Sequence, residues 1–215
     1  MKLKFIVDKN YDLDMAKSFK FSKEKIKKME YDYNTYLNDL ELSKKLYQKS
    51  WNEINDKFSN YIEKETGYEW FYPKYECVVS VIHIGVSNWG YFPRIIRQWK
   101  EDPYEMRRIT AHELILSHYF EIYRRHYINE GLKDEQVWAL AEIAAFALTS
   151  LTPEVEKFWP GNTEYYTNHN YPHIVGMQNE LKSVFVKRKS FDEYIKKGIE
   201  LVKKYPNMEP YPNRK

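Results

Sequence analysis

The residue types that could do chemistry are concentrated in one apolar stretch, Thr110-Ala-His-Glu-Leu-Ile-Leu-Ser-His118. It contains the adjacent pair His112 and Glu113, and a second apolar run downstream is interrupted by a single carboxylate, Glu142. An imidazole and a carboxylate are ligands that zinc accepts, and a further carboxylate can take the proton from a zinc-bound water. These residues therefore direct attention to metal-assisted hydrolysis.

The spacing of the histidines departs from the pattern that this chemistry uses. In an H-E-x-x-H helix the two histidines are four residues apart and reach one ion from the same face. Here Leu116 occupies the position of the second histidine, and the next one is His118. Six residues turn an ideal helix by about 240° net and raise it by ~9 Å. His112 and His118 therefore cannot share one zinc unless the helix breaks or bulges between them.

The order of elements around this stretch resembles that of a small zincin-type metallopeptidase of the gluzincin kind. An apolar strand at residues 76–84 is followed by a glycine- and aromatic-rich segment at 85–94, then by the His-Glu helix, and then by a helix that contains Glu142. The resemblance covers residues 76–150 and implies a zincin-like pair of helices beside a small sheet. It also implies a peptide substrate that lies along the 89–94 segment.

The resemblance assigns roles to individual residues. It implies that zinc is the cofactor, with His112 as the first ligand and Glu142 as the third, and that Glu113 is the general base. The second ligand is missing, and His118 is the nearest replacement in the sequence. The other histidines that could replace it are His83, His169 and His173. Contacts with a peptide or protein ligand are expected from Trp89, Tyr91, Tyr171 and His173.

Two other interpretations of the same residues remain open. The first is a catalytically inactive protein with a zincin fold, which acts as a binding or scaffold module. In that case His112 is a hydrogen-bonded core residue, and Glu113 or Glu142 is neutralised by one of the nearby arginines, which are Arg107, Arg108, Arg124 and Arg125. The second is an unrelated helical protein in which the His-Glu pair arose by chance.

Composition excludes several classes of function. The net charge is only +3 with both signs interspersed, so a nucleic-acid partner is not expected. No stretch approaches the ~20 apolar residues that span a bilayer, so no membrane association is expected. The single cysteine, Cys77, excludes an internal disulfide. With no signal peptide visible at the start, a cytoplasmic location is predicted. The sequence does not indicate an oligomeric state.

The elements that must position the candidate residues follow from periodicity and capping. A strand is predicted at residues 2–7, and a long helical run at 31–64 ends at Gly67. Ser22, Asp134 and Ser190 are predicted N-caps. The predicted fold class is α+β, mostly helical, with a small mixed sheet. We expect a single zincin-like domain over residues 1–205 with an N-terminal helical portion, followed by a mobile tail at 206–215.

Overall fold

The fold is given by a computed structural model that describes residues 1–87, 93–159 and 172–208. Within these residues the strands are β1 (Lys2–Ile6), β2 (Lys74–Ser80), β3 (Gly85–Val86) and β4 (Arg94–Gln98). The helices are α1 (Lys9–Ser18), α2 (Lys23–Thr35), α3 (Leu37–Asn52), α4 (Asn55–Thr66), α5 (Glu105–Ile122), α6 (Asp134–Ser150), α7 (Ile174–Lys187) and α8 (Phe191–Val202). The prediction of a mostly helical α+β protein with a small mixed sheet is confirmed.

The chain divides into two compact units. The first comprises Met1–Phe58 and Tyr72–Leu114, and the second comprises Ser59–Phe71 and Ile115–Lys215. The boundary between Phe58 and Ser59 falls inside α4, and the boundary between Leu114 and Ile115 falls inside α5. The single domain predicted for residues 1–205 stays a prediction.

The sheet belongs to the first unit and has the strand order β1-β2-β4-β3. β1, β2 and β4 are parallel, whereas β3 runs antiparallel to β4. The apolar strand predicted from residue 76 is present as β2, and its residues Cys77, Val78 and Val79 are completely buried. This strand ends at Ser80 rather than continuing to residue 84. The Ser80 hydroxyl accepts the backbone N–H groups of residues 82 and 83, which turns the chain out of the sheet.

The outer edge of β1 is closed by side-chain amides. Gln48 of α3 donates to the Leu3 carbonyl at 3.1 Å and accepts from the Phe5 N–H at 2.9 Å. Asn55 of α4 accepts from the Leu3 N–H at 3.2 Å. Because these amides take the place of a neighbouring strand, β1 cannot readily pair with another chain at these positions.

The predicted long helix at 31–64 is wrong as a single element, because the chain there forms parts of α2, α3 and α4. The first break is at Tyr36, whose φ of −109° and ψ of 21° leave the helical region. Apolar residues keep the same spacing across the break, so periodicity alone could not reveal it. The predicted end at Gly67 is confirmed, since Gly67 has a φ of +75° and donates to the Glu63 carbonyl at 2.8 Å.

The second unit has a core built around α6, where 12 of the 17 residues are buried. Gly198 of α8 packs closely here, because a Cβ at that position would lie 3.1 Å from Leu140 Cδ2. The predicted caps at Ser22 and Ser190 are confirmed by side-chain hydrogen bonds. Asp134 is instead the first residue of α6, and the residue before it is the N-cap.

None of the helices in the described ranges combines the length and the apolar character needed to cross a membrane.

Candidate functional site

Helix α5 contains the His-Glu pair and is held at its start by polar contacts within the first unit. The Asp102 side chain accepts the N–H groups of Tyr104 and Glu105, at 2.8 and 3.3 Å. One turn later, the buried Arg107 donates to the Ser50 hydroxyl and carbonyl, each at 2.8 Å. The α-helix then continues to Ile122, and a π-helical segment begins only at residue 123. The helix thus has no π-bulge between positions 112 and 118.

Glu113, the predicted general base, lies against the edge strand. It is buried, with an exposed fraction of 7%. A Cβ built on Gly85 of β3 would overlap Glu113 Oε1 and would lie 3.0 Å from Nη1 of Arg97. The Glu113 carboxylate and the Arg97 guanidinium therefore both border the space that a side chain at position 85 would need.

Arg97 connects the groups around this point. It lies on β4, is completely buried, and donates through Nη1 to the Ile84 carbonyl at the entrance to β3. Through Nη2 it forms an ion pair with the Glu101 carboxylate. A buried guanidinium is stable only when its donors and its charge are matched. Glu113 thus shares its surroundings with a cation that also bonds the edge strand.

His118, the proposed replacement ligand, is enclosed by aromatic rings of the second unit. Its ring centroid lies 4.7 Å from that of Trp70 and 5.2 Å from that of Phe71. Its Nε2 is 3.4 Å from the Thr66 hydroxyl, and Nδ1 has no hydrogen-bond partner among the described residues. Burial lowers the pKa of His118 to about 3, although the charge of Glu121 acts in the opposite direction. The ring is therefore neutral at physiological pH.

The other predicted metal ligands are placed less deeply. His112 is half-buried in the first unit, and Glu142 is half-buried on α6 in the second. Leu116, at the position of the missing ligand, is buried with 2% exposed. It is a core residue and offers no lone pair to a metal.

Of the four predicted ligand-contacting residues, His173 lies within the described part of the chain. Trp89, Tyr91 and Tyr171 lie outside the described residues. His173 is exposed at the start of α7 and has a φ of +63°. Its ring is stacked on Tyr205 with a centroid distance of 4.7 Å. This contact accounts for the position of the imidazole without a bound ligand.

A polar cluster that the sequence analysis did not identify lies at the carboxyl end of β2. The completely buried Asp12 accepts hydrogen bonds from the hydroxyls of Tyr33 and Ser80, both at 2.7 Å. His83 Nε2 lies 3.5 Å from the other oxygen of the same carboxylate. Burial raises the pKa of Asp12, and burial lowers the pKa of His83. The sequence contained one signal that Asp12 is buried. Asp12 and Ala16 are four residues apart, which places Asp12 on the apolar face of α1.

The predicted zinc site can be tested against the donors present. In the ranges 1–87, 93–159 and 172–208, no three His, Cys, Asp or Glu side chains form a group that could hold a metal ion. Structural and catalytic zinc sites use at least three protein ligands. The described residues therefore show no three-ligand group of this kind, and zinc binding by His112, His118 and Glu142 stays a prediction.

Comparisons with protein-family models, with curated proteins and with solved structures gave no match.

Proposed function

We propose that this chain is a catalytically inactive binding module of zincin-like architecture, which holds an extended peptide along β3 without hydrolysing it. The observation that supports this proposal best is the position of the Glu113 carboxylate against Gly85, where the Arg97 guanidinium also lies close. In a zinc peptidase the equivalent carboxylate must be available to a metal-bound water. Here the carboxylate lies against the edge strand and beside a buried guanidinium, as a structural group would.

The two edges of the sheet support a peptide site at β3 rather than at β1. β3 is the last strand in the order of the described strands, whereas the outer edge of β1 is closed by Gln48 and Asn55. No further strand among the described residues pairs with β3, and an unpaired strand edge offers backbone donors and acceptors to an extended peptide. Ile84, immediately before β3, is 68% exposed and provides an apolar contact beside this edge.

The proposal is tested by measuring binding and cleavage of the same peptides. A mixture of peptides from unfolded casein is incubated with the wild-type protein, and bound and free fractions are analysed by mass spectrometry. We expect a subset of peptides to be retained intact. Ile84→Glu should reduce their retention, because a charge beside a strand edge opposes pairing. Ile128→Glu, at a residue of the second unit that is 57% exposed, is the matched control and should have no effect.

Two results would overturn the proposal. The first is cleavage of the peptides by the wild-type protein that a chelator stops and that Glu113→Gln abolishes, which would establish a peptidase. The second is equal loss of retention in Ile84→Glu and Ile128→Glu, which would show that binding does not depend on the edge at β3.

A further inference from the structure

A groove on the first unit lies at the β1 edge of the sheet, whereas β3 is at the other end of the strand order. Its polar lining is rich in lysine. The groove lies between β1 and α3 and has a cavity volume of about 660 Å³. Four lysines and two side-chain amides contribute its polar surface: Lys4, Lys44, Lys45, Lys49, Gln48 and Asn52. We name it the lysine groove. The apolar part of its lining consists of Phe5 and Ile6 of β1 and of Val7, which follows the strand.

The charges of the lysine groove are of one sign. All of its ionisable lining residues are lysines. Lys44 forms an ion pair with Glu41. For Lys4, Lys45 and Lys49, the described part of the chain provides no carboxylate within ion-pair distance. Three lysines that have no carboxylate within ion-pair distance among the described residues thus line one cavity, and a concentration of one sign of charge attracts anions.

A second cavity of the protein is lined by charges of both signs, so a lining with charges of one sign is not a general property of its clefts. The cavity beside the end of α4, with a volume of about 550 Å³, mixes both signs. There Arg188 is paired with Glu65, and Asp192 accepts a hydrogen bond from the Tyr68 hydroxyl at 2.6 Å. A cation at that site already has its counter-charge, whereas the lysine groove lacks one.

The Gln48 amide is already hydrogen-bonded within the protein, so the lysine ammonium groups are the main groups that could bind a ligand in this groove. The amide of Gln48 is engaged by the backbone of β1, and its nitrogen also donates to the Asn52 side chain at 2.8 Å. A ligand therefore cannot add to β1 as a further strand at these positions. Lys45 and Lys49 are exposed and one helical turn apart on α3, so both can turn toward the same ligand.

We propose that the lysine groove binds a small polyphosphorylated anion. The cavity volume lies within the range of about 300–1,000 Å³ that is typical of small-molecule sites. Lysine ammonium groups act as point charges for phosphate oxygens. Several phosphate charges in a compact ligand match the three uncompensated lysines better than a single carboxylate does.

The test uses inorganic tripolyphosphate, titrated into the 215-residue chain by isothermal calorimetry at low ionic strength. Lys45→Gln/Lys49→Gln removes two charges of the groove. Lys23→Gln/Lys27→Gln is the matched control, because these lysines are also exposed and one turn apart, on α2. We expect the groove variant to weaken binding by about tenfold or more, whereas the control should change it less than about twofold. Binding should also weaken as salt is added.

Three results would overturn the proposal. Absence of tripolyphosphate binding to the wild-type protein at millimolar concentration would remove the site. Equal weakening in the two double variants would show a dependence on net charge alone. Binding to vesicles with anionic lipids, or to a single-stranded oligonucleotide, without binding to tripolyphosphate would assign the lysines to a surface for a macromolecule or a membrane. Circular dichroism of each variant establishes that it is folded.

Discussion

Gly85→Ala is the substitution that addresses the arrangement around Glu113 most directly. The added methyl group would overlap the Glu113 carboxylate and approach the Arg97 guanidinium to 3.0 Å. Glu113 is 7% exposed and Arg97 is completely buried, so neither group can move aside into solvent without disturbing its neighbours. Either the carboxylate moves away from β3 or β3 moves away from the carboxylate.

The expected cost follows from these two outcomes. Inserting a methyl group into a packed site costs typically about 1–3 kcal/mol. If the buried carboxylate is displaced from its present surroundings, a further loss follows, because a buried charge is left poorly matched. We therefore expect the free energy of unfolding to fall by about 2–4 kcal/mol. The substitution Gly176→Ala on α7 is the control, since a Cβ there meets nothing within 4 Å. It should stabilise the helix slightly.

A double-mutant cycle in urea separates this explanation from a general intolerance of the strand. Gly85→Ala, Glu113→Ala and the combined variant are compared with the wild-type protein. If the methyl group acts by displacing the carboxylate, removing the carboxylate should restore at least about 1 kcal/mol of the stability lost in Gly85→Ala. Effects that add within about 0.5 kcal/mol would refute the proposed contact between Gly85 and Glu113.

Three further predictions concern buried polar groups. Tyr33→Phe should lower the free energy of unfolding by about 1–3 kcal/mol in urea denaturation, because it removes a hydrogen bond to the buried Asp12 carboxylate; an unchanged midpoint would contradict this. The folded pKa of His118 lies near 3, below its ordinary value, so the unfolded chain takes up a proton first as pH falls. Stability should therefore be lost below about pH 6.5, by about 1.4 kcal/mol per pH unit from this group, and His118→Phe should show a shallower loss in pH-dependent melting. Burial raises the pKa of the Cys77 thiol far above its ordinary range, so native protein should not react with a thiol reagent such as DTNB, whereas unfolded protein should react fully.

Elements that depend on local signals were predicted well from the sequence. The Ser22 and Ser190 caps and the end of α4 at Gly67 each rest on a few adjacent residues, and each is present. The strand at residues 2–7 and the His-Glu helix were also predicted near their observed positions. The break at Tyr36 was missed, because apolar spacing continues through it and no glycine or proline marks it.

The chemistry of the site was harder to predict, because it depends on contacts between residues far apart in the chain. The sequence placed Glu113 at the edge of the apolar face of its helix, but it could not show that Gly85 and Arg97 would lie beside it there. The same holds for Asp12 and Ser80, which are separated by 68 positions and share one hydrogen bond. Periodicity identifies a buried face, whereas the partner on that face is decided by the topology of the sheet.

The most direct test of the central claim is the zinc content of the wild-type protein, purified without chelator and without metal-affinity steps and measured by mass spectrometry. If Glu113 is a structural group in an inactive module, the protein should contain well below stoichiometric zinc, and Leu116→His should contain more because it restores the H-E-x-x-H spacing. Near-stoichiometric zinc in the wild-type protein, lost in both His112→Ala and Glu142→Ala, would contradict the account and establish a metal site.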